Sequence, residues 1–208
     1  MTTKELKNYV EKNRRKNGES TTIDTATGLS ALEQVAGTAD KENAEWALVG
    51  GIAMHIYGSN RMTSDVDVIS ERTLSLIAER PLGFGGERYR SKVGDKDVAV
   101  DWIVRNDEAK PFYVNALRDA VKIAGVPIIT PEWLVILKYL AGRFKDQQDA
   151  VFLLKKKGLV NRRTIKTNIV KTAGGTFWAI IANHLRRWYD LADGKITTEK
   201  EDYEAERL

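Results

Sequence analysis

The 208-residue chain has no cysteine. That excludes a disulfide framework, a thiolate nucleophile and a cysteine-based zinc site. Histidine is nearly absent too: His55 and His184 are the only two. Neither stands at a metal-ligand spacing, so packing or surface roles are expected for both. No window approaches the roughly 18 continuous apolar residues of a membrane helix. The opening run MTTKELKNYVEKNRRKNGES lacks the apolar core of a signal peptide. A soluble, cytoplasmic protein with no membrane partner is the expectation. Internal repeats and low-complexity linkers are also missing. Charge of one sign is not in excess, because 33 Lys and Arg against 29 Asp and Glu leave a net charge of only +4. The global balance therefore does not demand nucleic acid. One local absence matters more. From Lys155 to Arg187 there is no acid at all, while nine lysines and arginines fall in those 33 residues.

What is present is ordinary for a globular chain: 42% hydrophobic and 30% charged residues, at a length that can bury a real core as one domain or two small ones. Residues 1–27 read as a polar arm or short helix, with Leu6 and Val10 at helical spacing. Residues 28–43 read as a helix with Leu29, Leu32, Val35 and Ala36 on one face. A strand at 46–49, a helix near 51–57 and a strand at 65–69 follow. Leu74 to Glu79 suggests a short helix stopped at Pro81. The glycine-rich LGFGGERYR reads as a hairpin loop rather than a phosphate cradle. Gly94-Asp95 marks a turn into an apolar strand, Val98 to Val104, and residues 109–124 read as a helix before the short apolar run GVPIIT. Thr130-Pro131-Glu132 is a helix start: a capping residue, proline at the first position, then an acid. Helices are expected at 131–143, 146–157, 161–171 and 176–192, separated by Gly158 and Gly174-Gly175. The expected fold class is α/β: a small mixed sheet flanked by helices at 28–130, a helical region at 131–195 and a charged, solvated tail at 196–208.

The stretch WALVGGIAMHIYGSNRMTSDVDVI, Trp46 to Ile69, organises the rest. Residues two apart on a strand share a face, so Asp65 and Asp67 project together from a strand whose other positions are apolar. Like charges this close repel unless something positive lies between them. A divalent metal is the simplest remedy, and carboxylate oxygens with a retained phosphate are what magnesium prefers. The Gly50-Gly51 turn into a helix is a place where backbone can approach a phosphate. Asp101 is a lone carboxylate within an apolar strand. It either faces a site or pairs with a cation, since a buried unpaired charge is costly.

Gly50-Gly51, thirteen residues, Asp65-Val66-Asp67, then Asp101 on a later strand: this pattern resembles the nucleotidyltransferase fold of the DNA polymerase β superfamily. The run through Gly58, Arg61, Thr63, Asp65 and Asp67 resembles the AbiEii-type bacterial nucleotidyltransferases, many of them toxins of toxin–antitoxin or abortive-infection systems. PEWLVILKYLAGRFKDQQDAVFLL is also similar to them, through Lys138, Ala141, Arg143, Lys145, Asp146 and Asp149. The two runs span about half the chain. One departure is Gly51, where the superfamily often has a serine.

The resemblance implies an enzyme that moves a nucleoside monophosphate from an NTP to an acceptor hydroxyl and releases pyrophosphate, with Mg2+ or Mn2+ as cofactor. Asp65 and Asp67 would hold the nucleotide-bound metal. Asp101 would complete the catalytic metal or take the hydroxyl proton. Gly50, Gly51, Arg61, Thr63, Ser64, Lys138, Arg143, Asp146 and Asp149 are the candidate nucleotide-binding residues, Lys138 being the preferred triphosphate contact. For several a structural role stands beside the functional one: Arg143 pairing with Asp146 or Asp149, those two acids capping their helix, Arg61 locking its loop through Asp67. The acid-free stretch favours an electrostatic footprint for RNA, with tRNA as the implied acceptor; an acidic antitoxin fits the same surface. The alternatives are a small-molecule acceptor, as in antibiotic nucleotidyltransferases, and a non-catalytic binding partner of the same fold.

Overall fold

The computed structural model describes residues 22–197. Residues 1–21 of the expected N-terminal arm and most of the charged tail lie outside the described residues, and the arm's last three residues, 25–27, belong to the first helix instead. Helix α1 (Thr25–Lys41) is capped by Asp24, whose side chain accepts from the Thr27 amide at 2.7 Å. That cap starts the helix three residues before the apolar stripe does. Its buried positions, Gly28, Ala31, Leu32, Val35, Ala36 and Ala39, recur at the three- and four-residue spacing of one helix face. Strand β1 (Trp46–Val49) leads directly into α2 (Gly50–Ile56), and β2 (Asp65–Ser70) follows. A hairpin of β3 (Arg80–Pro81) and β4 (Gly86–Val93) runs into β5 (Lys96–Ile103) through the Gly94-Asp95 turn. Helix α3 (Lys110–Arg118), β6 (Val121–Ile123) and β7 (Val126–Ile128) complete the sheet half.

The strands form one mixed sheet in the order β3-β4-β5-β2-β1-β7-β6. At its centre β2 lies parallel to β5 and antiparallel to β1. Directly paired residues share a face, so two faces can be read from the register. Ser91 pairs with Val98, and its hydroxyl donates to the Ala31 carbonyl of α1 at 3.0 Å. The face carrying Val98, Val100, Trp102, Val66 and Val68 therefore packs on α1. The opposite face carries Asp65, Asp67 and Asp101, and α3 packs against β2. All six positions from Val98 to Ile103 are buried, so β5 is covered on both faces.

Helices α4 (Pro131–Ala141), α5 (Phe144–Lys155) and α6 (Arg162–Ala192) pack against one another, and α4 and α6 also meet α3. The start of α4 is the expected one: the Thr130 hydroxyl accepts from the Trp133 amide, with Pro131 at the first turn. Gly142 ends it at φ +68°, a left-handed cap. Gly174, at φ +85° and ψ 169°, breaks α6 where a helix boundary was expected.

Two expected elements are replaced. Residues 74–79 form no helix; the Tyr89 hydroxyl holds the Leu74 amide at 3.1 Å, and the Glu79 amide donates to the Arg88 carbonyl at 2.8 Å. Tertiary bonds to β4 thus hold the segment at both ends in a non-helical path. The helix expected over 109–124 ends at Arg118, and the GVPIIT run is half of a β6–β7 hairpin. Ala124 and Gly125 both have positive φ, +49° and +86°, as a two-residue primed turn requires. Alanine in that position is an uncommon turn signal, which is why the helical pattern ran on past it.

Candidate active site

β2 and β5 are neighbours, and their register sets Asp67 directly beside Asp101, with Asp65 two positions before. One carboxylate oxygen from each of the three acids lies within 4.8 Å of the others. Asp101 is buried, whereas Asp65 and Asp67 are half-buried and open toward solvent. Burial, followed by repulsion from Asp65 and Asp101, pushes the Asp67 carboxyl up to about 7, against opposing help from Lys138 and the Gly51 amide. A fold that raises the energy of its own carboxylate in this way wants a cation there. The donor set is all oxygen, which suits magnesium or manganese rather than a soft metal. The residues therefore fit a divalent ion.

The glycine pair has an internal reason as well as the expected one. Gly50 adopts φ +67°, and a Cβ there would collide with the Asp67 carboxylate; a Cβ on Gly51 would collide with the Thr63 side chain. The turn is thus packed hard against the acid strand, and the Gly51 amide bonds to Asp67. Thr63, itself buried, directs its hydroxyl toward the Asp65 carboxylate at 3.3 Å. Ser64 lies half-buried at the bend just before β2.

The second set of candidates forms a separate charge network. Lys138, buried on α4, sits with Nζ 2.9 Å from Asp146 and 2.6 Å from Asp149 of α5. Arg143 reaches Asp146 at 2.6 Å, and Arg61 reaches Asp149 at 3.0 Å. Arg61 therefore locks its loop through Asp149 rather than through Asp67. Asp146 and Asp149 are buried counter-ions between two helices, more than helix caps. Burial opposes the charge on Asp146, but the bonds from Arg143 and Lys138 win, and its carboxyl is held below the ordinary range. This network adjoins the acid cluster, since Lys138 acts on Asp67 and Asp67 acts on Arg143. Tyr113 of α3 lies in the same region: its hydroxyl is raised by burial, then lowered by Arg105 and raised again by Asp67.

Arg88 is the site residue the sequence reading missed. It stands on β4 in the position paired with Asp101 and bonds both carboxylate oxygens, at 2.5 and 2.8 Å. The signal was there. A two-residue turn at Gly94-Asp95 pairs Val93 with Lys96, and counting back along the hairpin brings Arg88 opposite Asp101.

The two histidines are structural, as expected. His55 Nε2 lies 2.6 Å from the Arg61 carbonyl and its Nδ1 3.0 Å from the Thr25 hydroxyl. Nε2 is therefore the donor and Nδ1 the acceptor. His184 meets Tyr139 at 3.2 Å. A cavity of about 500 Å³ opens beside Asp24, His55, Asn60, Arg61 and Lys96. Lys96 begins β5, five residues and about 17 Å of strand before Asp101, so this cavity is not part of the acid cluster.

No family model matches the chain, and no curated protein matches it. Solved structures similar to it include two nucleotidyltransferase-type proteins. One is an antigenic nucleotidyltransferase-like protein from Paracoccidioides brasiliensis, at 16% identity over 80% of this chain and 95% of that one, with a TM-score of 0.46. The other is the antibiotic-resistance factor ANT(2'')-Ia, at 13% identity over 79% of this chain and 100% of that one, with a TM-score of 0.40. Likenesses at this level carry no functional weight, and the chemistry rests on the acids and their neighbours. Among the described residues, no helix is long and apolar enough to cross a membrane.

Proposed function

We propose that this chain is a nucleotidyltransferase of the DNA polymerase β type, using Mg2+ or Mn2+ and an NTP. The supporting observation is the convergence of Asp65, Asp67 and Asp101 on one sheet face, within 4.8 Å of one another. In the reaction an acceptor hydroxyl oxygen bonds to the α-phosphorus, the bond to the bridging oxygen breaks, and pyrophosphate leaves with the electron pair. The bound metal would neutralise the charge gathering on the phosphate oxygens. Asp65 and Asp67 would hold the nucleotide's metal. Asp101 would face the acceptor, as a further ligand or as the group that takes the hydroxyl proton. Gly50, Gly51, Thr63 and Ser64 shape the turn and strand entry beside those acids. Lys138, Arg143 and Arg61, fixed by Asp146 and Asp149, supply positive charge at the triphosphate end. In this reading residues 28–130 carry the chemistry and the helical region 131–195 carries the charge that meets the acceptor.

RNA, and tRNA in particular, is the proposed acceptor, in the manner of the AbiEii-type toxins. Of the cations between 155 and 187, Lys155, Lys157, Arg163, Lys166, Lys171, Arg186 and Arg187 are exposed. Arg162 is drawn to Asp193, and Lys156 to the carbonyls of Tyr57 and Gly58. An acidic antitoxin would meet the same exposed charges. The test is transfer of label from each of the four α-labelled NTPs to total RNA, protein or small molecules, with and without Mg2+ or Mn2+. Metal-dependent labelling of RNA, abolished in Asp65→Ala, is expected. Labelling of a small molecule instead would move the acceptor to the antibiotic type. Failure to label anything, together with no calorimetric binding of Mg-NTP, would leave a non-catalytic binding protein.

A further inference from the structure

The acid cluster already has a cation of its own. Arg88 donates from Nε to Oδ1 of Asp101 at 2.5 Å and from a terminal nitrogen to Oδ2 at 2.8 Å. The same terminal nitrogen lies 3.8 Å from Oδ2 of Asp65. A fork engaging both oxygens is the strongest pairing a carboxylate makes with a side chain. The arginine is held from behind as well, since it belongs to a strand paired along its whole length with β5. Asp67 is treated differently: the Gly51 amide bonds to it, while Lys138, which also acts on it, is already divided between Asp146 and Asp149. The cluster is thus asymmetric. Its Asp101 side is held by a guanidinium fork at 2.5 and 2.8 Å, whereas on the other side the same guanidinium comes no nearer to Asp65 than 3.8 Å.

A divalent ion approaching Asp101 would come within a few ångströms of that guanidinium and be repelled by it. An ion approaching Asp65 and Asp67 meets two carboxylates on one strand face, of which Asp65 touches the guanidinium only at 3.8 Å and Asp67 has no forked cation. We infer that Arg88 is a positioning residue that stands in for a second divalent ion. Without nucleotide the cluster takes up one divalent cation, at Asp65 and Asp67, and Asp101 becomes a metal ligand only when Arg88 is drawn off it. The anionic triphosphate is the group able to draw it off, since arginine binds phosphate oxygens as readily as carboxylate. The inference rests on reading the three acids as a metal cluster.

Mn2+ titration of the full chain without nucleotide, followed by the electron paramagnetic resonance of the free ion, tests it. One tightly bound ion per chain is expected for the wild type and two for Arg88→Gln, with Arg88→Lys in between in affinity for the second ion. Loss of the fork should tighten that second ion by on the order of ten-fold. The same count in wild type and Arg88→Gln, or two ions in the wild type, would overturn the inference while leaving the metal cluster standing. No Mn2+ bound by wild type or variant, or binding unchanged in Asp65→Ala, would overturn both.

A measurement on the wild type covers the case in which Arg88→Gln does not fold. The side-chain Nε–H signal of Arg88, in protein labelled with 15N-arginine, should stay in place with Mg2+ alone. It should shift, and exchange faster with solvent, once Mg2+ is joined by a non-hydrolysable NTP analogue. A shift with Mg2+ alone, or none with the analogue, contradicts the exchange of partners.

Discussion

At the scale of single residues, Asp67 carries the sharpest consequence. Its carboxyl is raised from the ordinary 3.8 to about 7, by burial first and by its two acidic neighbours second. Between those values the folded chain holds a proton that the unfolded chain has released. Stability contributed at this site is therefore present at low pH and lost as pH rises from about 4 to about 7. Melting temperatures of the metal-free wild type should fall relative to Asp67→Asn across that window and run parallel above it. A constant difference from pH 4 to pH 8 would contradict the raised value. Gly50 makes a second residue-level prediction. Alanine there must adopt a left-handed backbone and displace the Asp67 carboxylate, so Gly50→Ala should cost at least about 2 kcal/mol in urea unfolding and abolish Mn2+ binding. Gly37 is the contrast. It is exposed inside α1 with nothing near an added Cβ, so Gly37→Ala should stabilise by about 0.5–1 kcal/mol.

At the scale of elements, the joint between α4 and α5 is electrostatic as well as apolar. Lys138 lies buried between Asp146 and Asp149, and each acid also draws an arginine. Removing one member of a buried pair strands the other charge. Lys138→Met should therefore destabilise on the order of 3 kcal/mol in chemical denaturation, more than a surface lysine change does. Most of these elements were legible beforehand, because the residues that start and stop them are local. Thr130-Pro131 at the head of α4 and Gly174 within α6 each act through their own backbone or through the next turn, whereas the left-handed cap at Gly142 ends α4 two residues short of the expected 143. The two misread segments show where local reading stops. Residues 74–79 have a helical look, but their amides bond to β4, a partner chosen by the sheet. The β6–β7 turn uses Ala124 at positive φ, which no composition rule favours.

At the scale of the molecule, the proposed acceptor sets the test. If RNA lies along the exposed cations of α5, α6 and the turn between them, affinity should fall steeply with salt, and Lys157→Ala should reduce the slope of log K against log salt by about 1 at every sequence tested. A salt-independent affinity would remove the acid-free stretch from the interface. By itself the sequence determined that Asp65 and Asp67 share a strand face, that a glycine turn precedes them and that the second half is helical. Each follows from a backbone period or a cap spanning a few residues. Only the tertiary structure decided what the acids meet. The parallel pairing of β2 with β5 brings Asp101 to Asp67 across more than thirty residues of chain. Helix packing turns Lys138 toward Asp146 and Asp149, and it draws Arg61 to Asp149 rather than to Asp67. Arg88 belongs to both accounts. The turn that aligns it with Asp101 is local, but its charge acquires meaning only once β2 delivers two more carboxylates beside it.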